Sequence, residues 1–270
     1  MEFIDSHAHI DAEPFAEDRD AMLDRARDAG VSALLAIGTG PGPERLDAAL
    51  PYAEAHDWIY TTVGIHPHDA KEVTPQHLDA LALLAKHRKV IAWGEIGLDY
   101  YYDHSPRDVQ EKVFRDQMCL AQKAKLPIII HCRDAWDDCL RVLEEAWKPT
   151  GLGGILHCFG STLGHAQRGL DMGFLVSFAG NSTYPKAQSI REVARDLPLA
   201  NILIETDSPY LAPQPFRGKR NEPSYVGEVA KVLANVRNST QGEIAAATAA
   251  NFRRFFHLAQ SSGSPAGLYR

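Results

Sequence analysis

The amino-terminal stretch FIDSHAHID, at residues 3–11, decides how the rest of the chain is interpreted. We predict a short apolar strand at residues 2–5, which runs directly into Ser-His-Ala-His. Alternate residues of an extended chain point the same way, so the imidazoles of His7 and His9 can face one metal ion. An open doubly wound sheet usually has a glycine-rich phosphate loop after its first strand, and this chain has the two histidines there instead. The stretch therefore favours a metal site at the end of a barrel strand.

The same alternation of strand and helix continues along most of the 270 residues. Short apolar or β-branched runs alternate with longer amphipathic stretches, which is typical of repeated βα units and a parallel sheet. We predict eight strands, at residues 2–5, 33–37, 59–63, 90–93, 127–130, 154–156, 174–177 and 201–204. Because a closed barrel of eight such units needs about 250 residues, we predict a single α/β domain with a (β/α)8 TIM-barrel fold over residues 1–258.

The carboxyl-terminal part of the sequence predicts one more helix and a tail. The helix, at residues 241–256, carries Ile244, Ala247, Thr248 and Phe252 on one side, and we expect it to pack outside the barrel. Residues 259–270 are mostly small or polar and include proline and glycine. We therefore expect a disordered tail there.

Composition limits the class of function. The formal net charge of −7 and the pI near 5.9 exclude a broad basic face that grips duplex DNA. Four cysteines without CxxC spacing favour a reducing compartment. The first residues do not resemble a secretion signal, and no apolar run approaches the roughly 18 residues of a membrane span. We expect a cytoplasmic protein that does not associate with membranes, and we predict no protein partner.

Four more ligand-type side chains follow other predicted strands. Glu95 follows the fourth strand, His131 the fifth, His157 the sixth and Asp207 the eighth. The carboxyl ends of barrel strands form the face on which active sites are built, so these four residues should meet the two histidines of the first strand there. A chance polar strand end could explain one such pair, but not six groups at equivalent positions.

Six ligands suit two divalent ions about 3.5–4 Å apart better than one tetrahedral ion. We assign the first ion to His7, His9, Glu95 and Asp207, and the second to Glu95, His131 and His157. Glu95 then bridges the ions, and Asp207 is the candidate to orient a metal-activated hydroxide and accept its proton. We predict both carboxylates to be catalytic. Imidazole and carboxylate ligands accept magnesium, manganese, zinc or iron, so the sequence leaves the metal open.

Seven segments, five of which carry the six candidate ligands, occur in an order that resembles a known family. They are FIDSHAHID, GIHPH, GEIGLDYY, IIIHCRDA, ILHCFG, ILIETDSPYL and RGKRNEP. Together they resemble the TatD-type metal-dependent deoxyribonucleases of the amidohydrolase superfamily, from Phe3 to about Phe256. The resemblance implies a distorted TIM barrel whose metal pair hydrolyses phosphodiester bonds of DNA, mainly as an exonuclease on single strands. The six predicted ligands match the metal-binding positions of that family, and Glu95 stands where many superfamily members have a carboxylated lysine.

Basic residues offer candidate contacts to a substrate phosphate. Arg217, Lys219 and Arg220 follow the eighth strand, where barrels commonly build phosphate sites, although such a triplet is also typical of a solvated loop. Arg133 lies two residues beyond His131 and should share its face of the strand. It could clamp a phosphate through two hydrogen bonds, or it could pair with Asp134.

Other polar and aromatic residues near the strand ends allow two interpretations each. His66, in GIHPH, could contact the leaving group or a phosphate, or it could orient a metal ligand. Glu205 should orient a metal ligand without binding the ion itself. Tyr100, Tyr101 and Tyr102 could stack on the bases of a single strand, but an aromatic cluster more often serves packing.

The sequence leaves three hypotheses for function. The first is a phosphodiesterase that acts on DNA ends, and the second is a hydrolase of a small amide, lactone or phosphoester with the same metals. Glu95 in place of lysine and the basic loop at residues 217–220 favour the first. The third, a protein that has lost its chemistry, is disfavoured because all six ligands are present.

Overall fold

The computed structural model describes residues 1–259, in which eight parallel strands follow each other around one sheet in chain order. The strands are β1 (Phe3–Ala8), β2 (Val31–Ala36), β3 (Ile59–Val63), β4 (Val90–Asp99), β5 (Ile128–Arg133), β6 (Gly154–Leu156), β7 (Phe174–Phe178) and β8 (Ile202–Ile204). A parallel bridge between Ala8 and Ser208 links the last strand's end to the first. The Thr206 hydroxyl also donates a hydrogen bond of 2.6 Å to the Asp5 carboxylate. The (β/α)8 TIM-barrel prediction is confirmed.

Helices alternate with the strands and cover the outside of the sheet. They are α1 (Arg19–Asp28), α2 (Leu50–Ala55), α3 (Pro75–Leu84), α4 (Arg107–Ala124), α5 (Trp136–Ala146), α6 (Leu163–Leu170), α7 (Gln188–Asp196), α8 (Val226–Val236) and α9 (Gln241–Phe255). Reciprocal side-chain and backbone hydrogen bonds start α3 at Thr74 and α9 at Thr240, because both threonines accept from the third residue of the helix. No helix in this part of the chain has the length and apolarity to cross a membrane.

The apolar core consists of two layers. The larger lies between strands and helices, and the smaller fills the barrel interior with residues such as Ile4, Leu35, Ile129 and Leu203. Phe252 belongs to the interior layer, as does Ala249 of the same helix, α9. The expectation that this helix packs outside the barrel holds for Ile244 and Ala245, which belong to the larger layer, whereas its later turns contact β1 and β8 and cover the interior layer.

Several strands extend further toward their carboxyl ends than the sequence predicts. His7, Glu95 and His131 were expected just beyond their strands, and the structure includes them in β1, β4 and β5. Of these three, His131 pairs regularly with Gly97, whereas His7 and Glu95 lie where the strand register is irregular, and such bulges re-aim side chains at barrel rims. The predicted tail lies outside the described residues except for Ala259.

Candidate metal centre

All six predicted ligands meet at the carboxyl end of the barrel. His7 and Glu95 are buried within β1 and β4, and His131 is half-buried in β5. His157 directly follows β6, and His9 and Asp207 lie just beyond β1 and β8. Two backbone hydrogen bonds join the end of β1 to the segment after β8. The Asp207 amide donates to the His7 carbonyl oxygen at 2.9 Å, and the His9 amide donates to the Ser208 carbonyl oxygen at 2.8 Å.

Four ligand atoms converge in the part of the centre that we call half A. The Nε2 atoms of His7 and His9 lie 3.3 Å apart, and the first is 3.4 Å from Glu95 Oε2. Asp207 Oδ1 is 3.6 Å from His7 Nε2 and 3.5 Å from His9 Nε2. Ligands bound tetrahedrally at about 2.0–2.2 Å from an ion are separated by about 3.3–3.6 Å. The donor atoms of half A therefore fit a divalent cation.

The other part of the centre, half B, is tighter. His131 Nδ1 and His157 Nε2 each lie 2.8 Å from Glu95 Oε1. These are hydrogen-bond lengths, shorter than the spacing of ligands around one ion. Half B has the right donor types, two imidazoles and a carboxylate, and it uses the other oxygen of Glu95. One carboxylate thus faces both histidine groups, as a bridging ligand must.

The charges in the centre follow from these contacts. Burial opposes ionisation of Glu95, but the surrounding histidines, His157 and His7 first, hold its pKa well below the ordinary value. Burial likewise opposes a charge on His157, but the carboxylates of Glu95 and Glu205 outweigh it and raise its pKa well above the ordinary value. Burial and the nearby His157 lower the pKa of His7. The opposite shifts of Glu95 and His157 therefore reflect one buried ion pair, in which His157 Nε2 lies 2.8 Å from Glu95 Oε1.

Glu205 holds the far side of a half B ligand. It accepts a hydrogen bond of 3.1 Å from His157 Nδ1 and one of 2.7 Å from the Cys158 amide. Because Nδ1 is occupied, His157 Nε2 is the nitrogen that faces Glu95 and an ion. This geometry supports the prediction that Glu205 orients a metal ligand.

Asp99 plays the same part for His131, and sequence reasoning missed it. Its Oδ2 lies 3.0 Å from His131 Nε2 and 2.9 Å from His68 Nε2. Asp99 is the last residue of β4, reached from Glu95 through Gly97. A Cβ on Gly97 would lie 1.9 Å from the His131 carbonyl oxygen, so only glycine allows β4 to stay this close to β5. The motif GEIGLDYY contains Asp99, but the fourth strand is predicted to end at residue 93, before this motif begins.

His66 lies beside half B, with its Nε2 atom 3.7 Å from Glu95 Oε1. Its Nδ1 accepts a hydrogen bond of 3.2 Å from the His68 amide, so a neutral ring carries its proton on Nε2. Burial and the neighbouring His131 lower the pKa of His66 well below the ordinary value, which keeps it neutral. His66 can therefore donate a hydrogen bond into the centre.

A cavity of about 890 Å³ opens above the centre. Its wall includes His66, Arg133, Tyr102 and Tyr210 as well as the metal-ligand candidates. The Arg133 guanidinium lies over the Tyr101 and Tyr102 rings, and within the described chain it makes neither an ion pair nor a hydrogen bond. The alternative pairing of Arg133 with Asp134 is thus not what the structure contains. Tyr100 differs from its neighbours, since it is half-buried and packs on Arg107.

The basic loop after β8 stands apart from this cavity. The expectation for Arg220 is corrected, because its guanidinium is already committed to the Asp18 carboxylate at 2.6 Å and the Pro14 carbonyl oxygen at 2.7 Å. Arg217 is exposed and stacks on Tyr184, with its guanidinium carbon 4.0 Å from the ring centre. Lys219 is exposed. Among the described residues, none of these three lines the cavity.

Comparison with known proteins places this geometry in context. Residues 4–257 match the family of TatD related DNases. An uncharacterised metal-dependent hydrolase of Bacillus subtilis, YabD, is 41% identical over 94% of this chain and 98% of its own length. The protein named 3'-5' ssDNA/RNA exonuclease TatD of Erwinia tasmaniensis is 34% identical over 94% of this chain and 99% of its own. The crystal structure of the TatD homologue YjjV of Escherichia coli superimposes with a TM-score of 0.89 at 33% identity, over 95% and 98% of the two chains.

Proposed function

The chain belongs to the TatD-related DNase family of metal-dependent hydrolases, and from this premise we propose that it is a nuclease that cleaves phosphodiester bonds at single-stranded DNA ends with the help of two divalent metal ions. The observation that carries the proposal is the position of Glu95. Its Oε2 lies 3.4 Å from His7 Nε2, and its Oε1 lies 2.8 Å from both His131 Nδ1 and His157 Nε2. A carboxylate placed between two histidine groups could hold two ions together with them, and a two-metal site is a known arrangement for in-line displacement at phosphorus.

The residues that would hold one ion are His7, His9, Glu95 and Asp207, and those that would hold the other are Glu95, His131 and His157. When bound, such ions supply a water of lowered pKa and offset the charge of the phosphate. Asp207 is the proton acceptor in this proposal. The histidines beside it, His9 first, outweigh its burial and hold its pKa below the ordinary value, so it is an ionised base at neutral pH.

Two further side chains are proposed to contact the phosphodiester. His66 donates a hydrogen bond from Nε2 and carries no charge of its own. Arg133 presents a cation without a carboxylate partner in the described chain, and a charge-assisted pair of hydrogen bonds to phosphate is the interaction that it lacks. Arg217 and Lys219 are proposed contacts for a more distant phosphate, since both are exposed and Arg217 stacks on Tyr184.

A phosphodiester substrate is favoured over a small neutral amide or lactone. An unpaired guanidinium at the cavity wall stabilises a charged phosphate more strongly than a neutral ester, because hydrogen bonds between two ionised groups are the stronger ones. Relatives named 3'-5' ssDNA/RNA exonuclease, such as the Erwinia protein, support the choice of a nucleic acid. The net charge of −7 also supports local binding in the cavity over a broad contact with duplex.

The experiment measures the metal content of the purified protein and its release of nucleotides from end-labelled single-stranded DNA. Magnesium, manganese and zinc are each added back after treatment with chelator. We expect about two ions per chain and nucleotide release that requires metal. Bound metal together with no cleavage of any oligonucleotide would contradict the nuclease proposal and direct the search to small esters or amides.

Two arginines provide a matched pair for the phosphate contact. Arg133→Ala should raise KM for DNA about 10-fold or more, because a hydrogen bond to a charged group contributes about 1.5–3 kcal/mol. Arg220→Ala removes the same charge from the chain but from a group that is bound to Asp18. Equal effects of both substitutions on KM would contradict the specific role of Arg133.

The location of the protein is proposed to be the cytoplasm, and the thiols support a reducing compartment. Cys119, Cys132, Cys139 and Cys158 are all free.

A further inference from the structure

Exposed tyrosines are concentrated at the mouth of the cavity. Among the described residues, three of the six large exposed apolar side chains are Tyr101, Tyr102 and Tyr210, which are 57%, 49% and 57% exposed. Tyr102 and Tyr210 line the cavity above the metal centre. Large aromatic rings are costly to leave in water, so their concentration at one opening indicates a ligand with flat, apolar faces.

The tyrosines lie on opposite sides of this mouth. Tyr101 and Tyr102 follow β4, whereas Tyr210 follows β8. Because the strand order is β1 to β8 and the sheet closes on itself, these two strands face each other across the barrel. Tyr210 contacts His9 of half A, with ring centres 5.7 Å apart, and Tyr102 contacts His68 beside half B, at 5.3 Å. The metal centre therefore lies between the two tyrosine groups.

Much of the Tyr210 side chain is open to the cavity. Its contact with His9 is edge-to-face, with an angle of 72° between the ring planes. A tyrosine that served only to pack against His9 would be expected to bury most of its ring, whereas this one remains 57% exposed. A flat group that enters the cavity can therefore stack on Tyr210 without displacing any protein side chain.

The opposite side is a composite of two rings and a guanidinium. The guanidinium carbon of Arg133 lies 4.0 Å from the ring centre of Tyr101 and 4.9 Å from that of Tyr102. The two rings are perpendicular to each other, at 89°, so they fix the guanidinium from two directions. Arginine planes and aromatic rings are the surfaces on which proteins stack unpaired bases.

We propose that Tyr210 and the cluster of Tyr101, Arg133 and Tyr102 are two nucleobase-stacking subsites on opposite sides of the metal centre. This inference rests on the proposed nuclease activity and deepens it, because the substrate becomes a strand that extends over at least two nucleotides across the mouth. A base that lies on a protein ring has left its own stack. Single strands are therefore preferred to paired ends.

The test is a double-mutant cycle between protein ring and substrate base. We would compare kcat/KM of the wild type, Tyr210→Ala, Tyr210→Phe and Tyr102→Ala on single-stranded oligonucleotides with magnesium or manganese. A second set of oligonucleotides carries a tetrahydrofuran residue, which lacks the base, on one side or the other of the scissile bond. Leu83→Ala is the matched control. Leu83 is an exposed apolar residue of α3 and does not line the cavity above the metal centre.

Loss of one stacking contact should lower kcat/KM about 5- to 140-fold. Tyr210→Ala should show this loss on the intact oligonucleotide and none on the one that lacks the base on its side. Tyr102→Ala should lose most of its effect when the base on the other side is absent, and the remainder reflects the Arg133 guanidinium that Tyr102 contacts. Tyr210→Phe should keep the activity because it keeps the ring.

Two results would overturn the subsites. One is a Tyr210→Phe variant as slow as Tyr210→Ala, which would assign the effect to the hydroxyl. The other is that, in both cycles, loss of the ring and loss of the base lower kcat/KM independently, so that their factors multiply. Independent effects would mean that the ring and the base do not contact each other. In either case the wild type still cleaves DNA and the nuclease proposal survives, whereas a wild type that cleaves no oligonucleotide overturns both proposals.

Discussion

The two halves of the metal centre hold their imidazoles by different means. In half B, a carboxylate occupies the far nitrogen of each histidine, Glu205 for His157 and Asp99 for His131. In half A, the far nitrogen of His7 has no hydrogen-bond partner in the described chain, and the ring stacks on His157 with centres 3.8 Å apart. Backbone hydrogen bonds between the ends of β1 and β8 position half A instead.

This difference indicates how each half should respond to substitution. Carboxylates on the far nitrogen fix the tautomer and raise the basicity of a histidine ligand, so metal binding in half B would depend on side chains that are not themselves ligands. Half A depends on the backbone, which a side-chain substitution leaves in place. Substitution of residues that contact the histidines from behind, such as Glu205 and Asp99, should therefore change metal affinity in half B. Half A has fewer such residues to substitute.

The largest effect is expected where the halves join. Glu95→Ala removes the one carboxylate that faces both histidine groups, so it should lower turnover by more than about 10⁴-fold, above the range of a single general base. Metal content should fall at the same time, with the half B ion lost. Elemental analysis and a nuclease assay check this prediction. Two ions per chain with full turnover would refute the bridge, and Glu111→Ala, on the outer surface of α4, is the control.

Asp207→Asn tests half A alone and should lower kcat about 10²- to 10⁴-fold, which is the usual contribution of a proton acceptor. The amide keeps an oxygen for the ion but cannot take a proton. At saturating metal, the metal content should equal that of the wild type while kcat stays low. Recovery of kcat on addition of more metal would show that Asp207 acts only as a ligand.

Asp99→Asn and Glu205→Gln test the far nitrogens of half B, and each should weaken metal affinity or activity about 10- to 100-fold. Because the ligands themselves remain, excess metal should restore much of the activity. Metal titrations followed by turnover measure this, with Asp116→Asn as a control, since Asp116 is an exposed partner of Lys112 on α4. If the metal titration of these variants equals that of the wild type, Asp99 and Glu205 do not contribute to metal affinity in half B.

The smallest effect concerns a carboxylate outside both halves. Hydrogen bonds from Arg220 and then Arg25 hold the pKa of Asp18 well below its ordinary value. A depressed pKa adds stability above the unfolded value of about 3.9, and this stability is lost as the pH falls below it. Asp18→Asn should therefore lower the free energy of unfolding by about 1 kcal/mol or less at neutral pH, since the group is partly exposed.

Urea unfolding at several pH values checks this last prediction. The difference in the free energy of unfolding between wild type and Asp18→Asn should be largest at pH 7 and should shrink below about pH 4. The metal content of the two proteins should be the same. A difference in unfolding free energy that grew in acid would contradict the depressed pKa of Asp18. A change in metal content would connect Asp18 to the centre.

The convergence of the six candidate ligands could be predicted because each one lies next to a short apolar run. His157, for example, directly follows the three-residue strand β6, and one rule about barrel strand ends brings such residues together. Asp99 was missed for the opposite reason, since the continuation of β4 past Gly97 depends on a close approach to β5 that no local pattern encodes.

Long-range pairing explains the other differences. Arg220 resembles a phosphate contact in its loop, but its partner Asp18 lies 202 positions earlier in the chain. The apolar face of α9 was visible in the sequence, whereas the surface that it covers was not. Periodicity predicts that a face is buried and does not predict against what.

The position of α9 bears on how the protein is made. Phe252 and Ala249 complete an interior layer that includes Ile4, a residue translated about 250 positions earlier. Because translation adds only about 5–20 residues per second, a ribosome-bound chain carries an uncovered apolar interior until this helix emerges. A stop codon before α9 would release a chain that cannot bury that apolar surface.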